Sequence, residues 1–77
     1  PMKKAFVLVN TDLGSETEVM SELEKVKGIA RVYEVYGVYD VVVEVEAESD
    51  QALKEIVFSK VRPLQHVRST LTLNTVS

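Results

Sequence analysis

The chain has no cysteine and no tryptophan, and only two prolines, three glycines and one histidine in 77 residues. Without cysteine there is neither a disulfide framework nor a thiolate metal site. The glycines stand alone at positions 14, 28 and 37, so no glycine-rich loop can cradle a phosphate. His66 has no second histidine or cysteine with which to share a metal, and it reads as a solvated residue at a strand edge. Ser69 and Thr70 have no histidine base beside them in their strand, which removes serine-type catalysis. No apolar run approaches the ~20 residues of a membrane span, and residues 5–9 are too short for a signal-peptide core. A cytoplasmic location is the default expectation, with no membrane partner. Basic residues are the minority: nine Lys and Arg against twelve Asp and Glu, a net charge of −3. Non-specific nucleic-acid binding needs the opposite balance, so direct contact with nucleic acid is not expected. The tyrosines at 33, 36 and 39 therefore do not make an RNA-binding platform. No cofactor is expected.

What is present is a small domain rich in strand-forming residues. Residues 32–46 hold two runs of β-branched and aromatic side chains, broken once by Gly37-Val38-Tyr39-Asp40. That is the composition of a hairpin. Upstream, residues 3–10 form a strand whose core, Ala5-Phe6-Val7-Leu8-Val9, is apolar without interruption. Ala5, Val7 and Val9 fall on one face, Phe6 and Leu8 on the other, so both faces need cover. Ser15 and Glu18 fit a capping box, and Val19, Met20, Leu23 and Val26 form the apolar stripe of a helix that Gly28 ends as its C′ residue. Strands are expected over residues 29–36 and 39–47. A second helix opens at Ser49 or Asp50 with Ala52, Leu53, Ile56 and Val57 inward. It cannot run through Pro63, so 61–65 reads as a loop. A last strand, 66–75, places Val67, Ser69, Leu71 and Leu73 on one face and His66, Arg68, Thr70, Thr72 and Asn74 on the other.

The order β-α-β-β-α-β is that of the ferredoxin-like split βαβ motif. The expected fold is α+β: a four-stranded antiparallel sheet with two helices on one face, as one domain over 1–77. A chain this short buries only roughly 60% of the surface it exposes when unfolded. With a marginal core, no disulfides and a first strand apolar on both sides, dimerisation through the open sheet face is the expected remedy.

Among groups that carry chemistry, Glu44, Glu46, Glu48 and Asp50 alternate along and beyond one strand. They read as a solvated face or as salt bridges across the dimer, not as a cation site. The corner at Gly37-Val38-Tyr39-Asp40 is more specific. Its turn offers backbone amides to a carboxylate, and Asp40 either meets an ammonium or fixes the turn. Ser69, Thr70 and Thr72 add hydroxyls from the last strand. Together these are the demands of a zwitterionic amino acid.

Two stretches carry a resemblance across nearly the whole chain: Val35-Tyr36-Gly37-Val38-Tyr39-Asp40-Val41-Val42-Val43-Glu44-Val45 and Val67-Arg68-Ser69-Thr70-Leu71-Thr72-Leu73. The sequence resembles the C-terminal effector domain, or RAM domain, of the Lrp/AsnC (feast/famine) transcription regulators. The resemblance implies a non-enzymatic module that dimerises in the manner of a dimeric α/β barrel and assembles into octamer- or decamer-like rings. It also implies that an amino-acid effector binds between dimers, near Tyr36, Gly37, Val38, Tyr39 and Asp40, with Ser69, Thr70 and Thr72 as further contacts. The family's regulators carry a helix-turn-helix domain, for which 77 residues leave no room. The expectation is thus a stand-alone module that co-assembles with full-length Lrp/AsnC regulators. The alternatives are an assembly partner without a ligand, a small α/β-barrel enzyme with His66 in a pocket between helices and sheet, and the related ACT amino-acid-binding domain, whose site centres on residues 10–14.

Overall fold

The uninterrupted apolar run near the N-terminus ends up in the middle of the sheet, the position where a strand can be covered on both faces. A computed structural model describes residues 1–76. Its elements are β1 (Lys3–Thr11), α1 (Glu16–Glu24), β2 (Ile29–Glu34), β3 (Val41–Ala47), α2 (Asp50–Ile56), which continues into a π-helical turn (Val57–Val61), and β4 (Val67–Asn74). The sheet order is β2-β3-β1-β4, and all three pairings are antiparallel. The expected ferredoxin-like architecture is therefore the observed one.

One face of the sheet supplies Ala5, Val7 and Val9 from β1 and Val41, Val43 and Val45 from β3. They join Val19 and Leu23 of α1, Leu53 of α2, and Val57 and Val61 of the π-turn in one buried cluster, so both helices lie on the same side. The opposite face carries Phe6, Leu8 and Val42, only partly buried, and Tyr33, Leu71 and Leu73, which are exposed. At one end of it Lys4 Nζ lies 3.1 Å from Glu44 and 3.8 Å from Glu46. Arg31 pairs across from Glu44. The guanidinium is held charged first by the adjacent Tyr33 side chain and then by Glu44. Of the acidic stripe, Glu44 and Glu46 are thus met within their own sheet, while Glu48 and Asp50 are exposed.

Local geometry departs from the sequence reading in six places. Ser15 occupies the N-cap of α1, but its backbone sits at φ −105°, ψ 7° and its side chain makes no capping bond. A capping hydroxyl needs extended backbone to reach the third amide. Ser49, at φ −148°, ψ 162°, has it, and its Oγ accepts the Ala52 N–H at 3.1 Å. The first helix ends at Glu24 with Lys25 as its cap, so Gly28 is not the C′ residue. It lies instead in the following turn, closed by Ile29 N–H to the Val26 carbonyl at 3.2 Å. The second strand stops at Glu34 and the third starts at Val41, leaving a wider corner at 35–40. The second helical segment runs further than expected. Arg62 N–H donates to the Val57 carbonyl at 2.9 Å, a five-residue π step, and Val61 is fully buried. Pro63 then stops it, as its missing N–H requires. A register shift beside Asn10 and Thr11 leaves Arg68 unpaired and turns Val67 to the helix side, not to the face of Ser69 and Leu71. Finally, His66 is not in a strand at all; it precedes β4 in the left-handed region, at φ 76°.

Two substitutions test this packing. Leu23 is fully buried, so Leu23→Ala should lower the unfolding free energy by about 2–5 kcal/mol, read from urea denaturation. Gly28 has φ +99°, and an added Cβ would sit 2.6 Å from Ile56 Cδ1. Gly28→Ala should therefore cost at least about 1–2 kcal/mol; an unchanged denaturation midpoint would show that the turn relaxes freely.

Candidate functional site

The corner between β2 and β3 is built around one carboxylate. Asp40 Oδ2 accepts the Thr11 backbone N–H at 2.9 Å and lies 3.5 Å from the Thr11 hydroxyl. The backbone of Asp40 is committed as well: its N–H donates to the Val9 carbonyl at 3.0 Å, and its carbonyl accepts the Val35 N–H at 2.8 Å. Of the two roles open to Asp40, the structure shows the one that fixes the corner. Thr11 is only 5% exposed, so its amide has little access to water and needs this acceptor.

Beyond that weld the corner projects freely. Gly37 has φ +134° and open space around its Cα, so glycine is required there by conformation and not by crowding. Tyr36 is 100% and Val38 83% exposed, while Tyr39 is half-buried. Among the described residues, no intrachain acceptor takes up the amides of Gly37, Val38 or Tyr39. The corner therefore presents donors and an aromatic side chain outward, with Asp40 locked behind them.

The hydroxyl residues of the last strand do not converge on this corner as a set. Ser69 points to the open sheet face, where its Oγ accepts from Asn10 Nδ2 at 3.1 Å. Thr70 and Thr72 point the other way, into a groove of about 540 Å3 between α2 with its π-turn and β4. Leu53, Lys54, Phe58 and Arg62 line the same groove. Leu53 and Lys54 lie on the helix that the sequence predicts, whereas Arg62 falls in the stretch 61–65 that reads as a loop. Phe58 and Arg62 are four residues apart, and the guanidinium carbon lies 5.8 Å from the ring centroid. That spacing was a usable sign that helical geometry persists to Arg62.

His66 is not a freely solvated edge residue. Its Nδ1 is 3.1 Å from Asp12 Oδ2 and its Nε2 is 3.6 Å from Glu18 Oε2. Its carbonyl accepts the Asp12 N–H at 2.9 Å. The residue clasps the end of β1 to the start of β4 and lines none of the grooves described. No group of three or more His, Cys, Asp or Glu side chains is placed to hold a metal ion among the described residues. No helix of the described chain is long and apolar enough to cross a membrane.

Comparison with known proteins agrees with this geometry. The family model for the Lrp/AsnC ligand binding domain matches residues 4–77. An uncharacterized HTH-type transcriptional regulator of Pyrococcus furiosus, PF0250, is 32% identical over 72 residues, covering 90% of this chain and 48% of the regulator. The chain thus spans about half the length of the curated regulators it matches. The crystal structure of hypothetical protein PHS023 from Pyrococcus horikoshii superposes with a TM-score of 0.90 at 32% identity, covering 97% of this chain and 90% of that one. The transcriptional regulator NMB0573 of Neisseria meningitidis, solved as an L-Met complex, shares the fold at a TM-score of 0.85 and 13% identity, covering 97% of this chain and 50% of that one. A ferredoxin-like sheet with a glycine corner welded to its central strand, matched over residues 4–77 by that family model, places this chain in the family of Lrp/AsnC ligand-binding domains.

Proposed function

We propose that this chain is an amino-acid-sensing and assembly module that modulates Lrp/AsnC-type transcription regulators through ligand-dependent oligomerisation. The observation that carries the reading is the corner: unclaimed amides at Gly37, Val38 and Tyr39, held in place by the Asp40 to Thr11 bond. Such amides suit the carboxylate of an amino acid. They lie apart from Thr70 and Thr72, which face the groove. A small effector that uses both sets is therefore expected to sit between copies, with the corner contributed by one and the hydroxyls by another. Binding of this kind stabilises the assembly by linkage. The matched P. furiosus proteins are HTH-type transcriptional regulators, which supports a regulatory role. The L-Met complex of NMB0573 supports an amino acid as the class of effector.

The open sheet face supports pairing of two copies. Tyr33, Leu71 and Leu73 are all close to half exposed. Beside them, Lys4 and Arg31 balance Glu44 and Glu46, so the charged end of the face carries no net charge. A self-complementary patch of this kind suits a two-fold interface, in which the same surface is used twice. Dimers joined face to face leave the corners outward, where further assembly into an octamer- or decamer-like ring, or with full-length regulators, takes place in this reading.

A thermal-shift screen of the intact chain against the twenty amino acids tests the sensor. An effector at ~100 times its Kd should add roughly 2.7 kcal/mol, a rise of about ten degrees or more for a domain this small. One or two hits that also raise the mass in light scattering are expected; no shift with any of the twenty would leave an assembly partner without a ligand.

Two variants separate the roles of Asp40. Asp40→Ala strands the Thr11 amide and should cost about 1–3 kcal/mol in urea denaturation. Asp40→Asn keeps an oxygen for that amide while removing the charge. It should hold stability within about 1 kcal/mol and still lose most of the effector shift if the carboxylate pairs with the ligand ammonium. An undiminished shift in Asp40→Asn would confine Asp40 to fixing the corner.

A further inference from the structure

The groove between α2 and β4 has a chemistry that the corner lacks. At about 540 Å3 it is within the size range of small-molecule sites. Its wall on the helix side is apolar, from Leu53, Val57 and Phe58; its strand side offers the hydroxyls of Thr70 and Thr72. Two cations, Lys54 and Arg62, stand over it against one carboxylate, Asp50. This local excess of positive charge occurs in a chain whose net charge is −3.

Neither cation is spoken for. Among the described residues, no carboxylate lies within 4.0 Å of Lys54 or Arg62, although Asp50 is one helical turn from Lys54. Lys4, Lys25 and Arg68 each have an acidic partner, whereas among the described residues Lys3, Lys27, Arg31 and Lys60 share the unpaired state of Lys54 and Arg62; what distinguishes these two is that both line one groove. Arg62 is also set in position: its guanidinium lies 5.8 Å from the Phe58 ring centroid, which limits the rotamer freedom that ligand binding would have to remove. A second hollow, of about 310 Å3, shares Arg62 and Thr70 with the groove and is lined by Arg68 as well. Arg62 borders both spaces. A planar guanidinium flanked by threonine hydroxyls and a lysine is a recognition set for a carboxylate, which Arg takes through two parallel hydrogen bonds.

We propose that the α2/β4 groove is a carboxylate pocket, and that the effector is a small dicarboxylate: one carboxylate on Arg62 with Lys54 beside it and the hydroxyls of Thr70 and Thr72 on its flank, the other on the unclaimed corner amides of a neighbouring copy. The inference rests on the sensor reading above and adds to it the chemical class of the ligand. An acidic amino acid and its 2-oxo analogue share this chemistry; only the amino acid has an ammonium to offer Asp50, the carboxylate that lines the groove.

Isothermal titration of the intact chain with L-glutamate, L-aspartate, 2-oxoglutarate, L-leucine and L-lysine tests it, with Arg62→Gln and Lys54→Gln as variants. Both side chains are on the exposed surface, so the variants should keep the wild-type melting temperature. The expected result is binding of one or more of the dicarboxylates, weakened at least tenfold in Arg62→Gln and less in Lys54→Gln, and weakened further by raising the salt concentration. Preference for glutamate or aspartate over 2-oxoglutarate would identify the amino acid as the ligand, and the reverse would identify the oxo acid. Binding of leucine or lysine without the dicarboxylates overturns the pocket while leaving the sensor intact. Dicarboxylate binding that is equal in Arg62→Gln also overturns it. Binding of none of the five, with no hit among the twenty amino acids either, removes sensor and pocket together. A change in oligomer mass of ligand-free Arg62→Gln would assign the groove to a second copy of the chain instead.

Discussion

The strand β1 is apolar on both faces, and the rest of the molecule follows from having to cover it. Ala5, Val7 and Val9 are fully buried because β1 is central and both helices close over that side. Phe6 and Leu8 receive only partial cover from their own chain. Among the described residues no third layer covers the second face of the sheet, which is the face that meets a second copy in the proposed assembly. The charges at the edge of that face do not contradict this. Glu44 is only 9% exposed and is met by Lys4 at 3.1 Å. A carboxylate already paired within its own chain costs less to bury than a free one.

The second constraint is at the far end of β1. Thr11 and Asp12 are gripped from two sides: the Thr11 amide by Asp40, and the Asp12 amide by the carbonyl of His66. The left-handed backbone of His66 stores some strain, and two carboxylates, from Asp12 and Glu18, hold its ring. The corner, the start of β4 and the first turn of α1 therefore meet at a single two-residue segment. The corner is held at its root for this reason, while Tyr36 and Val38 project from it exposed.

Much of this was legible in the sequence. The periodicity of β1, β3 and both helices identified the fold, because a two-residue or 3.6-residue repeat of apolar groups reports burial directly. The corner was legible from a glycine between two β-branched runs. What escaped was set by contacts distant in sequence. The bulge that turns Val67 inward is a register choice between β1 and β4, and the sequence of neither strand contains it. The failure of Ser15 as a cap depends on a ψ angle fixed by the turn from Asp12. Gly28 looked like a helix terminator, and its close neighbour is Ile56, a residue of the other helix. The clasp on His66 needs three segments at once. Of the groove residues, Arg62 was hidden by reading 61–65 as a loop, since a five-residue step breaks the periodicity by which helices are recognised.

The strand β4 joins the two surfaces that matter. Its alternate residues face opposite ways: Thr70 and Thr72 toward the groove, Ser69, Leu71 and Leu73 toward the open face. It is an edge strand, paired on one side only, with a bulge at Arg68. It is the strand that borders both the groove and the open face. A ligand in the groove and a second copy on the open face would press on the same backbone from opposite sides. Two events that share such an element are coupled only to the extent that each prefers one position of it, and the coupling is reciprocal. Typical couplings of 1–3 kcal/mol correspond to affinity changes of roughly 5- to 150-fold, enough for an effector to change the assembly without altering the fold. In the proposed assembly a rigid β4 would uncouple the two surfaces however tightly each was occupied, and the coupling would rest on the freedom that a single ladder and a bulge leave this strand.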